Sequence, residues 1–251
     1  MSTLVLALDQ VSFGYSRHSL LAGLSLRLHT SEITTLVGPY GIGKTTLLKL
    51  IAGALPLQNG SLQAFHDGVQ VPVQSCIAYM SQKDSLLPWR TVLENVLLPM
   101  ELGPCQKSYD EQAAKELLCE VGLGDYLAAF PDKLSGGMCK LVCLARVLLS
   151  NKPILLLDEP FCSLDVHLRT ALFAIIRRLV REKEKTVLFV THDFRDACYL
   201  SDRVVFLSES IIQEWPIDDA VRACPHAQMA IQEAIRHQFA GFHPFAKLEV
   251  L

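Results

Sequence analysis

The segment Gly38–Thr46 reads Gly-Pro-Tyr-Gly-Ile-Gly-Lys-Thr-Thr and has the spacing G-x-x-x-x-G-K-[ST] of a phosphate-binding loop. Glycines let the backbone curl so that successive N–H groups face one anion. Lys44 brings a positive charge to the β- and γ-phosphates of a nucleotide, and the hydroxyl of Thr45 can ligate Mg²⁺. The predicted nucleotide-binding residues are Gly38, Pro39, Tyr40, Gly41, Ile42, Gly43, Lys44, Thr45 and Thr46.

The context of this loop favours a nucleotide site over a chance glycine-rich turn. Ile33–Val37 is a short β-rich run before the loop, and Thr45–Ala54 has helical apolar periodicity after it. A helix N-terminus at this point adds its own affinity for phosphate. Strand, loop and helix together predict a nucleotide-phosphate site.

Composition limits the class of protein. The chain has 251 residues, half of them hydrophobic and a fifth charged, which is typical of a globular protein. A net charge of −3 gives no electrostatic indication of a nucleic-acid partner, so none is expected. The N-terminus lacks the basic region of a signal peptide, and no apolar run approaches the roughly 18 residues of a membrane span. We therefore expect a soluble chain that acts at a membrane only through a partner.

The N-terminal segment predicts an antiparallel pair of strands. Leu4–Tyr15 and Ser19–Leu28 partly alternate apolar and polar residues, with a turn near Ser16–His18. Tyr15, at the end of the first strand, is a candidate for stacking on an adenine ring. The alternative is a strand-end tyrosine that covers the core.

The middle of the chain carries two weaker signals. Gln82 follows the predicted strand Ile77–Met80, after a turn predicted at Gln58–Ser61. Leu134-Ser135-Gly136-Gly137 then precedes a predicted helix, Met138–Leu149, so that a hydroxyl and glycine N–H groups lie at its N-terminus. Alone, such a string is usually a helix cap. The other helices predicted here are Val92–Leu98 and Asp110–Val121.

Two later strands end in polar residues. Ile154–Pro160 reads as a continuous apolar strand that ends in two carboxylates, Asp158 and Glu159, and such a run is typical of a buried parallel strand. Asp158 is placed to hold Mg²⁺ through water, and Glu159 to polarise an attacking water. A plain turn is a poor alternative, because two carboxylates that cap a buried strand need a partner for their charge. Thr186–Val190 is a similar run and leads to His192, although a lone histidine after a strand is usually structural.

The chain resembles the ATP-binding subunit of ABC transporters, because it carries the motifs of that family in the same order. These are the loop at Gly38–Thr46, Gln82, the L-S-G-G string, the strand ending in Asp158 and Glu159, Ser163-Leu164-Asp165 and His192. The resemblance covers about residues 4–210. It implies an α/β P-loop ABC ATPase with a mainly parallel core sheet, an N-terminal antiparallel β-subdomain and a helical subdomain. The implied organisation is a single ATP-binding domain over 1–251, with the helical subdomain at about 83–150 and a C-terminal helix and tail at 216–251.

The resemblance also implies a role for each motif residue. Lys44, Gln82 and His192 act on the phosphates, and Glu159 is the general base. Thr45, Gln82 and Asp158 hold Mg²⁺ beside ATP, and Tyr15 stacks on adenine. Two subunits, expected to be identical, dimerise head to tail, so that Leu134, Ser135, Gly136 and Gly137 serve the partner's nucleotide and Asp165 links the two sites.

The resemblance narrows the subfamily. Leu86–Val92, Glu94-Asn95-Val96 and Met138 look like the importers of nitrate, sulfonates and taurine, whose ATPases are similar to those of thiamine-precursor importers. The implied partners are transmembrane permease subunits and a periplasmic or surface solute-binding protein, at the cytoplasmic face of the inner membrane. From the length of chain after His192 we expect no regulatory β-barrel, and we predict a capping helix at Asp218–Phe239.

Several residues depart from the family pattern. Tyr40 and Ile42 replace small residues of the P-loop, and Cys139 and Lys140, followed by Leu141, stand where Arg and Gln are usual. Every phosphate, metal and base residue is retained, so we expect ATP hydrolysis to be retained too. The alternatives from other classes are a soluble ABC ATPase of DNA repair or translation and a non-cycling nucleotide-binding regulatory subunit.

Overall fold

The computed structural model describes residues 4–15, 18–66, 68–102, 111–208 and 212–240, and it arranges them in two β-sheets with flanking helices. The strands are β1 (Leu4–Tyr15), β2 (His18–His29), β3 (Ile33–Val37), β4 (Asn59–His66), β5 (Val69–Val71), β6 (Ile77–Met80), β7 (Ile154–Asp158), β8 (Thr186–Val190), β9 (Arg203–Leu207) and β10 (Ile212–Pro216). The α-helices are α1 (Lys44–Ile51), α2 (Val92–Glu101), α3 (Glu111–Glu120), α4 (Gly136–Leu149), α5 (Val166–Lys183), α6 (Phe194–Leu200), α7 (Asp219–Ala223) and α8 (Pro225–Ala240). Within these ranges no helix is long and apolar enough to cross a membrane.

The six-stranded sheet brings the predicted motifs to one edge. Its order is β10-β9-β3-β8-β7-β6, and every pair except β9–β10 is parallel. All residues of β3, β7 and β8 are buried, including Thr34 and Thr35 of β3, as expected for parallel strands covered on both faces. Val190 at the end of β8 is aligned with Leu36 of β3 and with Asp158 of β7. The segments that follow these three strands therefore meet at the carboxyl edge of the sheet.

The N-terminal sheet is antiparallel, as predicted, and its strand order is β2-β1-β4-β5. The turn predicted at Gln58–Ser61 is wrong, because β4 already begins at Asn59. Its glycine marks a β-bulge instead: the register of β1 against β4 shifts at this point, and Gly60 has a φ of 89°. A Cβ at Gly60 would lie 2.5 Å from the carbonyl oxygen of Gln10, so only glycine fits.

Helices α2, α3 and α4 form the helical subdomain. They pack on one another through apolar side chains that include Val96, Leu118 and Leu144. α2 begins with a capping box, in which Thr91 and Glu94 satisfy each other's backbone N–H groups. The predicted fold class, a mainly parallel core sheet with an antiparallel and a helical subdomain, is confirmed. The bounds given for the subdomain, about 83–150, stay a prediction.

The C-terminal capping helix predicted as one segment is two helices. Cys224 is extended, with φ −110° and ψ 102°, and separates α7 from α8. Pro225 is the cause, because its ring disfavours the helical conformation in the residue before it. Ile231 and Ile235 of α8 pack on a small apolar cluster with Phe206 of β9. The predicted tail after residue 240 lies outside the described residues.

Candidate nucleotide-binding site

The glycine-rich loop after β3 is closed around its own lysine. Nζ of Lys44 donates to the carbonyl oxygens of Gly38 and Pro39, at 2.8 Å each. Burial lowers the pKa of Lys44, while the carboxylates of Glu159 and Asp158 oppose that shift. Gly43, with a φ of 108°, is the N-cap of α1. A partly desolvated ammonium group and a free helix N-terminus together make this loop an anion-binding site.

Close packing explains the glycine at the start of the loop. A Cβ at Gly38 would lie 2.5 Å from the carbonyl oxygen of Leu207, at the end of β9. Real Cβ atoms do not approach a backbone oxygen so closely, so either the loop or β9 would have to move. The loop conformation therefore depends on the absence of a side chain at this residue.

The two unusual side chains of the loop have opposite surroundings. Ile42 is buried and belongs to the apolar cluster under α1. Tyr40 is 97% exposed and points away from the rest of the described chain. Ile42 is therefore a packing residue, whereas Tyr40 is available to a ligand or another chain.

Asp158 and Thr45 are brought together as the sequence suggested. Asp158 is fully buried at the end of β7, and its Oδ1 accepts a hydrogen bond of 3.2 Å from the hydroxyl of Thr45. Burial raises the pKa of Asp158, although the Thr45 hydrogen bond opposes this. Oδ2 of Asp158 and the hydroxyl of Tyr79 are both buried without a partner among the described residues. Burial, followed by the nearby charge of Asp158, raises the pKa of the Tyr79 phenol.

This oxygen set fits a divalent cation. Mg²⁺ prefers hydroxyl, carboxylate and water oxygens, and it usually keeps several waters beside one or two carboxylates. A buried carboxylate oxygen without a partner is costly, and a bound cation or its water would satisfy it. Thr45 and Asp158 therefore suit the metal that the motif implies.

Glu159 and His192 lie across the edge of the sheet from each other. The backbone N–H of Glu159 donates to the carbonyl oxygen of Val190, and its φ is 51°, which is rare for a residue with a side chain. This conformation directs the carboxylate toward His192, whose Nδ1 lies 2.9 Å from Oε2 of Glu159. Only a small part of the Glu159 side chain is exposed, whereas His192 is mostly exposed.

Gln82 and Tyr15 lie at the margins of the site. Gln82 follows β6 on the exposed surface, and its backbone oxygen accepts a hydrogen bond from Lys140. Tyr15 is half exposed and contacts Phe13 edge to face, with ring centroids 5.0 Å apart. Its pairing partner His18 lies two residues before Leu20, which packs against Gly43. The end of the hairpin that carries Tyr15 is thus on the side of the phosphate loop.

The L-S-G-G string and Asp165 are helix caps. The hydroxyl of Ser135 accepts the N–H of Met138 at 3.3 Å and begins α4 two residues earlier than predicted. Asp165 likewise caps α5 through the N–H of Leu168. A Cβ at Gly137 would lie 3.5 Å from the carbonyl oxygen of Ser163, so the two segments are close neighbours within one chain.

A cluster of charged side chains around Arg169 lies beside the site and was not predicted from the sequence. Arg169 of α5 donates from Nη1 to Asp193, at 3.0 Å, and to Asp196, at 3.2 Å, and from Nε to the carbonyl oxygen of Leu164. Arg169 thereby joins the Asp165 segment to the residue after His192. The only signal in the sequence was the position of Arg169 four residues after Asp165, on the same face of a helix.

The fold and these contacts define a P-loop nucleotide-binding protein, and the comparisons with known proteins agree. The family model described as "ABC transporter" matches residues 21–162. The aliphatic sulfonates import ATP-binding protein SsuB 2 of Pseudomonas syringae pv. tomato is 37% identical over 81% of this chain and 83% of that protein. The taurine import ATP-binding protein TauB of Escherichia coli is 34% identical over 87% of this chain and 86% of that protein.

Among solved structures, a dimeric ATP-binding cassette in a post-hydrolysis state, bound to ADP and phosphate, matches with a TM-score of 0.74. It is 26% identical, and the match covers 85% of this chain and 99% of that chain. The chain belongs to the ABC transporter family and is an ATP-binding subunit that hydrolyses ATP. The resemblance inferred from the motifs is confirmed, and a DNA-repair or translation ATPase is not favoured.

Proposed function

We propose that this ATPase powers the uptake of an aliphatic sulfonate of the taurine type. The support is the likeness to import ATP-binding proteins for aliphatic sulfonates and for taurine, which is itself a sulfonate, over more than four fifths of the chain. The observation that carries the catalytic part is the meeting of Thr45, Asp158, Glu159 and His192 at one edge of the sheet.

The phosphate loop binds and orients the triphosphate. Lys44 exchanges its contacts with the carbonyl groups of Gly38 and Pro39 for β- and γ-phosphate oxygens, and the backbone N–H groups of residues 40–46 surround the same charge. Tyr15 stacks on adenine. Thr45, Asp158 and Gln82 would hold Mg²⁺, which neutralises charge on the phosphate oxygens when bound.

Glu159 and His192 complete the reaction. A water attacks the γ-phosphorus in line with the bond to ADP, and its proton passes to the Glu159 carboxylate. The bond from the γ-phosphorus to the bridging oxygen breaks, and ADP leaves with the electron pair. His192 contacts the γ-phosphate from the end of the neighbouring strand and orients Glu159 through their hydrogen bond.

The site is completed by a second copy of the chain, bound head to tail. Leu134–Gly137 and the helix N-terminus that Ser135 caps supply donors to the partner's γ-phosphate. Asp165 and its neighbours link the two sites. The dimeric cassette with ADP and phosphate supports this arrangement. Hydrolysis then depends on closure of the dimer, and the same closing movement is the motion that drives transport.

The mechanical output passes to permease subunits at the cytoplasmic face of the inner membrane, where a periplasmic or surface solute-binding protein delivers the solute from outside. The contact segment is the loop between Gln82 and α2. Trp89 is 71% exposed there, although the loop around it is held by the buried side chain of Asn95. An exposed indole on an ordered loop is typical of a protein interface.

The test uses the chain co-expressed with its permease subunits and reconstituted in phospholipid vesicles. We expect ATP hydrolysis stimulated by a binding protein loaded with taurine or an alkanesulfonate, and none from Glu159→Gln. Trp89→Ala reduces assembly with the permease while ATP binding is unchanged. Tyr199→Ala is the matched control, because it removes another exposed ring. Stimulation by nitrate or a thiamine precursor alone would overturn the sulfonate assignment.

A further inference from the structure

Helix α4 holds the first part of the segment that begins at Gln82. Lys140 of α4 is only 8% exposed, and its Nζ donates to the backbone oxygen of Gln82 at 2.8 Å. Arg146, further along the same helix, donates from Nη1 to the backbone oxygen of Ser85 at 3.0 Å. Six helical residues span roughly 9 Å, and three extended residues span about 10 Å. Residues 82–85 therefore run alongside α4 and in the same direction.

The next part of the loop is held equally firmly by α2. Asn95 is fully buried, and its Oδ1 accepts the N–H of Leu87 at 2.8 Å. Its Nδ2 donates to the carbonyl oxygens of Leu87 and Arg90. The whole segment 82–91 is thus bound to the helical subdomain.

The contact from Lys140 carries a full charge. A hydrogen bond donated by an ammonium group is stronger than one from a neutral amide such as the glutamine usual at this position. The charge of Lys140 also acts on Asp158 at the proposed metal site. Burial raises the pKa of Asp158, and Lys140 is one of the positive charges that oppose this rise. Lys140 thus lies between the segment that carries Gln82 and the end of β7.

We propose that Lys140 is a positioning residue that fixes the backbone of Gln82 so that its side-chain amide reaches the metal. This rests on the proposed function, which makes Gln82 a metal ligand and gives Ser135 to the partner's nucleotide. Ser135 begins α4, and Lys140 lies five residues later. α4 thus carries both the residue proposed to serve the partner's nucleotide and the residue that holds Gln82.

The experiment measures the Mg²⁺ concentration for half-maximal ATP hydrolysis at saturating ATP, in the reconstituted complex. For Lys140→Met we expect a rise of about tenfold, as loss of a charge-assisted hydrogen bond predicts, and a smaller rise for Lys140→Gln. ATP affinity in EDTA stays within about twofold, because neither change touches the phosphate loop. Lys152→Met is the matched control, since Lys152 also donates to a carbonyl oxygen, that of Ser75, away from the site.

A double-mutant cycle separates positioning from a direct effect of charge on Asp158. In the Gln82→Ala background no amide remains to be positioned, so Lys140→Met should add no further rise. An additive rise, or an unchanged Mg²⁺ requirement in Lys140→Met, would overturn the proposal. The proposed function fails separately, if the unmodified complex shows no Mg²⁺-dependent hydrolysis at all. Lys140→Gln keeps the test valid if the methionine variant does not fold.

Discussion

Nδ1 of His192 lies 2.9 Å from Oε2 of Glu159, although the two residues follow different strands of the sheet. One hydrogen bond therefore joins the imidazole of His192 to the carboxyl group of Glu159 across the edge of the sheet. The contact with the histidine fixes the direction of the Glu159 carboxylate. Glu159, in turn, is held by its backbone bond to Val190.

His192→Ala should lower kcat for ATP hydrolysis by about 100-fold or more, the range of a misdirected general base. ATP affinity should change little, because the phosphate loop is untouched. Single-turnover hydrolysis with nucleotide binding measured in parallel checks this. A fully active His192→Ala enzyme would contradict the assignment.

Glu159→Gln should remove hydrolysis, and an ATP-bound dimer of this variant should accumulate and be detected by size-exclusion chromatography.

Asp158→Asn should abolish the dependence of ATP binding on Mg²⁺. The amide keeps the volume of the side chain and its contact with Thr45, but it removes the charge that suits a divalent cation. ATP affinity, measured with Mg²⁺ and with EDTA, should become equal in the variant and differ in the unmodified protein. If Mg²⁺ still strengthened ATP binding in the variant, Asp158 would not be a ligand.

Gly38→Ala should destabilise the protein even without nucleotide. The new Cβ would meet the backbone oxygen of Leu207 at 2.5 Å, and overpacking of this kind costs ~1–3 kcal/mol. The free energy of unfolding in urea measures it. Gly136→Ala is the control, since nothing lies within 4 Å of its Cβ, and it should show no loss. Equal stability of the two variants would refute the packing argument.

Asp196 should make stability depend on pH. Burial raises its pKa to about 6, with Asp193 adding to the rise while Arg169 and Arg195 oppose it. The folded state therefore binds a proton more tightly than the unfolded state, so this residue's contribution falls as pH rises from about 4 to about 6. Relative to Asp196→Asn, the unmodified protein should lose unfolding free energy between pH 5 and pH 7.5. A difference independent of pH would show that Asp196 titrates normally.

Much of the fold follows from local signals in the sequence. The runs predicted at Ile33–Val37 and Thr186–Val190 match β3 and β8 residue for residue, whereas the strand predicted at Ile154–Pro160 ends two residues earlier, at Asp158 of β7. Strands buried on both faces need β-forming, mostly apolar sequence, which makes them easy to recognise. The bulge at Gly60 looked like a turn, because a positive φ serves both and only the register of β1 distinguishes them.

The site was predictable where its residues follow strands, and less so where side chains reach across the fold. Thr45 and Asp158 were expected together and do meet. The contacts of Arg169 with Asp193, and of Lys140 with Gln82, join residues 24 and 58 positions apart. No local pattern encodes such distances, since they depend on how α4 and α5 pack against the sheet.

The buried amide of Asn95 has a consequence for recognition. Ordering the backbone of a free loop on binding costs roughly 1–2 kcal/mol per residue. Here Asn95 already sets the conformation of residues 87–91 in the isolated chain. In the proposed assembly, a membrane subunit that binds at Trp89 would therefore meet a preformed surface, and little conformational entropy would be lost. The strength of that association then depends on the fit of the indole, and exchange between assembled and free subunits requires no refolding of the loop.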